Sequence, residues 1–324
     1  MRASAPTRLT VRTESEVLDT VPSLLGFHPS DSVVVLLVTP EHGVLLTVRI
    51  DLTTALRLVD PTKPMAGALQ RIGPRRDLGA VVVGYGSDID ALRTAVASML
   101  WHLPAAEIFG AVVVGDRWWF HDDGPHDPGR PHDPRGSAIG AQCAYSGQLV
   151  LGSRADLESM LDPSPGRRPA ALTRAFAAAR REVSQLTAAD LTEAMHRTLG
   201  ELADSVTSPA PVAQLARLSM LARHPEAREA YWRRLDTTTA DGFVELWAQV
   251  VRVTPKRALT PPLCLLGMAA WQAGEGALLS ICFDRAAALA PRHHLVQVLA
   301  SVCYNLLPPQ LWDEMRSGPG AHLA

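Results

Sequence analysis

Between Thr13 and Leu25, the apolar residues Val17, Leu18, Val21, Leu24 and Leu25 recur at helical spacing behind the capping residues Thr13 and Ser15. That spacing predicts a short amphipathic helix ending at Gly26. The period then changes. Val33 to Val38 is continuously apolar and rich in β-branched residues, as in a strand covered on both faces. From Val44 to Asp51, Leu46, Val48 and Ile50 alternate with Thr47, Arg49 and Asp51, the pattern of a strand with one wet face, and the intervening TPEHG is short enough for a hairpin. After a connection broken by Pro61 and Pro64, LGAVVVGYG predicts a third strand. DIDALRTAVASMLWHL then predicts a helix with Ile89, Leu92, Val96, Met99 and Leu103 inward. EIFGAVVVGDRWWF gives two further strands around Gly115 and Asp116, a dipeptide suited to a tight turn. The expected result is an α/β domain with a mixed sheet, its third and fourth strands parallel across a right-handed crossover.

From residue 154 onward strand signals disappear and Ala, Leu and Arg dominate. Thr187 with Asp190 resembles a capping box, Pro225 suits a first helical turn, and Pro169, Pro209, Pro261 and Pro291 punctuate the remainder. An all-helical second domain is therefore expected, with the boundary in PSPGRRP at residues 163 to 169, giving domains 1–162 and 163–324. Within it, Gly267, Gly274, Phe283, Ala286 and Pro291 fall at offsets resembling one tetratricopeptide helix pair, in which small residues let two helices approach closely. Trp232, Trp247 and Trp271 sit at helical spacing and are expected in the core, whereas Trp118 and Trp119 face opposite sides of a strand, one inward and one toward a contact surface.

A formal charge of -2 over 324 residues gives no overall drive toward nucleic acid or an anionic membrane. No run approaches the roughly 18 to 20 apolar residues of a membrane span, and the first 16 residues contain no secretory apolar core. Cys143, Cys264, Cys282 and Cys303 are widely spaced, without a C-x-x-C pair, which fits a reducing cytosol.

Several segments carry residues capable of chemistry. GFHPSDS, residues 26 to 32, places His28 and Ser32 around Ser30 and Asp31, but Pro29 and its neighbours also make an ordinary turn. This loop enters the amino end of its strand, while ligands of open α/β sheets gather at carboxyl ends, so binding is favoured over catalysis there. GYGSD, residues 84 to 88, offers Gly84, Gly86 and Ser87 at a strand end opening into a helix. A third fingerprint glycine is absent, and Asp88 and Asp90 favour helix capping over phosphate. HDDGPHDPGRPHDPRG, residues 121 to 136, contains PHDP twice, and His121, Asp122, His126, Asp127, His132 and Asp133 are residue types that ligate zinc. Its four Pro and three Gly favour a low-complexity surface loop, so no metal and no other cofactor is expected. Arg167, Arg168, Arg174, Arg180 and Arg181 form an acid-free stretch best read as a solvated helix face.

VPSLLGFHPSDSVVVLLV, the later RWWF and MAAWQAGEGALLSICFDRAAALAP together resemble the actinobacterial domain-of-unknown-function family 4192 over most of the chain, LLGFHPSDS being the most specific element. Many members of that family carry a Cys-rich stretch after the tryptophan-bearing strand. Here the His/Asp/Pro loop replaces it, so no role of those cysteines transfers. The resemblance implies an intact cytosolic architecture and no particular reaction. The leading expectation is a non-enzymatic cytoplasmic binding or scaffolding protein whose helical domain contacts a protein partner. The rival is a small-ligand sensor or enzyme using a cleft between domains.

Overall fold

The computed structural model describes residues 13–41, 43–73, 77–133, 137–145, 150–163, 169–203 and 210–312. The chain forms two compact units, Met1–Asp156 and Leu157–Ala324. Residues 164 to 168 of the expected break lie outside the described residues.

The first unit is built on a six-stranded mixed sheet of order β2-β1-β3-β4-β5-β6. Its strands are β1 (Ser32–Thr39), β2 (Gly43–Asp51), β3 (Gly79–Tyr85), β4 (Glu107–Val114), β5 (Arg117–Phe120) and β6 (Arg130–Pro131). β1 is antiparallel to both neighbours, with Ser32 opposite Asp51 on β2 and opposite Tyr85 on β3. β3 and β4 are parallel, with Gly79 beside Glu107 and Tyr85 beside Val113, as the crossover pattern predicts.

Helices cover both faces, which is why the apolar run of β1 is uninterrupted. On one face Leu18 and Val21 of α1 (Glu14–Leu25) pack on Val34, Leu36, Val83, Ala111 and Trp118. Thr13 caps that helix, its hydroxyl oxygen accepting from the Glu16 amide at 3.2 Å, and Gly26 closes it at φ 78°. On the other face lies α4 (Ile89–His102), with Leu92, Val96 and Met99 buried. The connection between β2 and β3 holds two short helices, α2 (Leu52–Arg57) and α3 (Ala66–Ile72), too brief for a periodic sequence signal. α5 (Ala138–Tyr145) follows the sheet. Leu151 then forms a parallel bridge with Phe27, and α6 (Arg154–Ser159) spans the division between units.

The second unit contains only helices among its described residues: α7 (Pro169–Val183), α8 (Ala188–Ala203), α9 (Val212–Leu221), α10 (Pro225–Trp232), α11 (Ala240–Val253), α12 (Thr260–Gln272), α13 (Gly276–Leu289) and α14 (His294–Asn305). Thr187 and Asp190 cap α8 reciprocally. The Asp190 carboxylate accepts from the Thr187 amide at 3.1 Å, and the Asp190 amide donates to the Thr187 hydroxyl at 3.3 Å. Every residue of α12 is buried, so this helix, apolar on all sides, is the axis of the unit. Trp232, Trp247 and Trp271 all lie in its core. Gly274, at φ 77°, turns α12 into α13, and Gly267 admits α14. A Cβ on Gly267 would stand 2.8 Å from Leu299 Cδ2 and 3.2 Å from Cys282 Cβ.

Candidate functional site

The antiparallel course of β1 corrects the objection raised against its preceding loop. Its amino end lies beside the carboxyl ends of the parallel strands β3 and β4, the edge where α/β sheets collect ligands. The two glycine-bearing loops therefore meet: a Cβ on Gly86 would be 3.1 Å from Asp31 Oδ1. The Gly86 amide also donates to Val113 O at 3.3 Å. Much of the first loop serves the backbone. Asp31 has φ 42° and its carbonyl accepts from Leu52 N at 2.9 Å. Arg49, ion-paired with Asp51 at 2.8 Å, donates to Ser30 O at 3.2 Å. His28 is half-buried, its amide donating to Leu151 O at 3.0 Å, while Ser30 and Asp31 are exposed and Ser32 is buried.

Gly84 points away from this edge. A Cβ there would lie 3.2 Å from Leu92 and Val96, so it is a glycine required by α4 packing. Ser87 is exposed and precedes Asp88, whose carboxylate accepts from the Asp90 and Ala91 amides at 3.2 and 3.1 Å. The GYGSD segment thus divides into a packing glycine, a loop-contact glycine and a helix cap.

Three further residues complete the edge: Asp19 from α1, Tyr85 at the end of β3 and His132 just after β6. Asp19 Oδ1 lies 3.7 Å from His132 Nδ1, beyond hydrogen-bond range, with both side chains at least nine-tenths buried. Asp19 Oδ1, Ser32 Oγ, Tyr85 Oη and His132 Nδ1 are all buried without a hydrogen-bond partner among the described residues. Burial pushes the Asp19 carboxyl up to about 6, assisted by the charges of Asp133 and Glu16 and opposed by a hydrogen bond from Ser137. Burial also raises the Tyr85 phenol and lowers the His132 imidazole. Ser32, Tyr85 and His132 can donate and accept hydrogen bonds in uncharged form, whereas Asp19 holds its proton only below about pH 6. The cluster contains no assembled nucleophile and base, because Ser32 Oγ bonds to neither histidine. Asp19 was legible as the one carboxylate between Leu18 and Val21; nothing local marked Tyr85 or distinguished His132 from His126, the other histidine of the PHDP repeat.

The His/Asp/Pro stretch is more ordered than its composition predicts. It folds back so that Arg130 pairs with Trp118 and Pro131 with Arg117, forming β6. Arg130 reaches Asp123 at 2.6 Å, and its guanidinium lies 4.9 Å from the Trp118 ring centroid and 4.6 Å from that of Phe120. Of the tryptophan pair, Trp118 is the buried member, while Trp119 is half-buried rather than open and donates to Asp127 O at 2.9 Å. The six metal-type residues are dispersed: His126 is exposed, Asp127 accepts from the Gly129 amide at 2.8 Å, and His132 turns in toward Asp19. No three His, Cys, Asp or Glu among the described residues form a metal-holding group.

An open groove lies wholly in the helical unit. Arg180, Val183 and Ser184, at the end of α7, Met220 in the last turn of α9, and Arg223 and His224 in the link to α10 line it, with a volume of about 310 Å³. Val183 and Met220 are buried and form its floor, while both arginines are exposed. His224 is the N-cap of α10 and makes no side-chain capping bond. Its imidazole is lowered by burial, and Arg223 and Arg228 add to that effect against Glu226. Arg228, 5 % exposed, donates to Ala222 O at 3.2 Å and leaves Nε without a partner. Of the predicted arginine stretch, Arg174, Arg180 and Arg181 are exposed on α7 and only Arg180 lines the groove. Arg167 and Arg168 lie outside the described residues. Cys264, Cys282 and Cys303 are free thiols raised by burial, hence poor nucleophiles at neutral pH. The side chain of Cys143 is outside the description.

An α/β unit with a polar sheet edge, followed by a helical unit with an open cationic groove, defines a two-unit protein with separate features on each part. The chain belongs to the family described as domain of unknown function DUF4192, whose model matches residues 15–310. No curated protein and no solved structure matches it. No helix among the described residues is long and apolar enough to cross a membrane.

Proposed function

We propose that this chain is a cytoplasmic, actinobacterial binding protein rather than a catalyst, its helical unit presenting a contact surface to a protein partner. The observation that carries this reading is the open groove between the end of α7 and the α9–α10 link, where two exposed arginines stand over an apolar floor. Exposed charge around a small apolar base is the arrangement of a rim and anchor in protein recognition. The free thiols of Cys264, Cys282 and Cys303 agree with a reducing compartment. A net charge of -2 supports a protein partner over nucleic acid. The test is affinity capture from the native host with the wild-type chain and with Arg180→Glu/Arg223→Glu. Loss of a stoichiometric partner from a variant with unchanged circular dichroism supports the reading, and undiminished capture overturns it.

A second reading, a small-ligand sensor, is favoured by the four unpartnered polar atoms of Asp19, Ser32, Tyr85 and His132. It requires a metabolite retained through native purification by the wild type and released from Tyr85→Phe.

A further inference from the structure

We infer that the groove of the helical unit takes an acidic segment of the partner protein, in which a carboxylate is held by Arg180 and Arg223 while a neighbouring aliphatic side chain rests on Val183 and Met220. This rests on the contact-surface reading above and names the chemistry of its occupant.

The charge pattern is the first argument. Arg217 is paired with Glu182 at 3.0 Å, Arg233 with Glu229 at 2.5 Å and Arg285 with Asp162 at 3.0 Å. Arg180 and Arg223 have no carboxylate partner among the described residues, although both stand on the same small groove. Buried behind that region, Arg228 makes no close ion pair among the described residues, Glu226 acting on it only through space, and its charge is felt at His224 on the groove wall. The first turn of α10 begins at His224, so unsatisfied amides add partial positive charge at the same end. Glu226 in that turn opposes this only in part, because it is a single exposed carboxylate against two unpaired guanidinium groups. A planar guanidinium fork recognises a carboxylate through two parallel hydrogen bonds, which gives orientation as well as attraction.

Shape and lining select among anions. The volume, about 310 Å³, is at the lower end of the range for small-ligand sites, and the groove lies open to solvent. It cannot enclose most of a metabolite's surface, but it can seat one or two side chains of a chain passing over it. The Val183 and Met220 floor gives an inorganic anion nothing to contact. Nucleic acid would need a longer track of cations or stacking rings, and no Phe, Tyr or Trp lines the groove.

The experiment uses fluorescence anisotropy with the full chain and a fluorescein-labelled peptide containing glutamates around two leucines, compared with the glutamine-for-glutamate and alanine-for-leucine peptides. The glutamate–leucine peptide is expected to bind at least tenfold more tightly than either comparison. Arg180→Ala/Arg223→Ala is expected to raise its Kd at least tenfold, with Arg174→Ala/Arg181→Ala, on the same helix but off the groove, changing it less than twofold. All four arginines are exposed, and unchanged circular dichroism establishes that each variant is folded. Equal binding of the glutamine peptide, equal loss in the Arg174/Arg181 variant, or no loss in the groove variant overturns the inference. Equal binding of the alanine peptide together with displacement by inorganic phosphate would make this a simple anion site. Self-association that disappears in the groove variant would make a second copy the occupant; both results overturn the acidic-segment assignment. If host capture remains sensitive to Arg180→Glu/Arg223→Glu while the peptides fail, only this inference falls. If capture itself is insensitive, the contact-surface reading falls first.

Discussion

Replacing Asp19 by Asn should stabilise the α/β unit at neutral pH and leave it nearly unchanged in acid. The Asp19 side chain is 10 % exposed, and its carboxyl is raised from 3.8 to about 6, chiefly by burial and then by Asp133 and Glu16. A folded-state value above the unfolded one means that the native chain holds a proton that the unfolded chain has released. Stability from this group is therefore complete below about pH 4, declines as pH rises toward 6, and stays at the lower level above it. At about 1.4 kcal/mol per pKa unit, ionising Asp19 in place costs about 3 kcal/mol. Asn keeps the shape and can still accept from Ser137 without becoming charged. His132 acts in the opposite direction, being lowered by burial so that its contribution is lost as pH falls through its titration, but it is present in both proteins and largely cancels in the difference. Urea unfolding at pH 4 to 8, with hydrogen exchange of β1 and β3 as the local readout, measures that difference. Asp19→Asn should gain about 2 to 3 kcal/mol at pH 7.5 and less than about 0.5 kcal/mol at pH 4. A variant less stable at every pH, or a gain that does not shrink in acid, would refute the reasoning and make the ionised carboxylate a native partner of something else.

Two further substitutions probe packing. Gly267→Val inserts side-chain volume where a Cβ alone would approach Leu299 to 2.8 Å, and should lower helical-unit stability by about 2 to 4 kcal/mol in a urea titration. Gly129→Ala combines φ 72° with a Cβ position 2.4 Å from the Trp119 ring. It should detach the 121–133 loop from the sheet, seen as a red shift and quenching of tryptophan emission and a loss of about 2 kcal/mol in the α/β unit.

The long elements were readable because their signals are local. The unbroken Val33–Val38 run, the alternation from Val44 to Asp51 and the stripe of Leu92, Val96 and Met99 each encode burial within a few residues. β6 was not readable, because a two-residue strand containing proline exists only through its pairing with β5. Six- and seven-residue helices such as α2 and α3 likewise contain too few turns for a period to emerge. For the site, sequence indicated both loops but not their meeting, which depends on β1 running against β3. That direction is a long-range property of strand order. Asp19, Tyr85 and His132 come from three distant segments, and the groove exists only once α7 packs beside α9, so neither arrangement has a signature in any one stretch of chain.

The ends of the sheet determine how this protein can fail. On one side it stops at Arg130–Pro131, two residues of which the second has no amide hydrogen to offer, so that margin is a poor template for an incoming strand. On the other, β2 extends for nine residues and bears Arg49 and Asp51, with a register shift against Leu37 and Val38 adding local twist. Intermolecular sheet growth would therefore begin at β2, and neutralising its charges would promote aggregation sooner than any change at the proline-terminated margin.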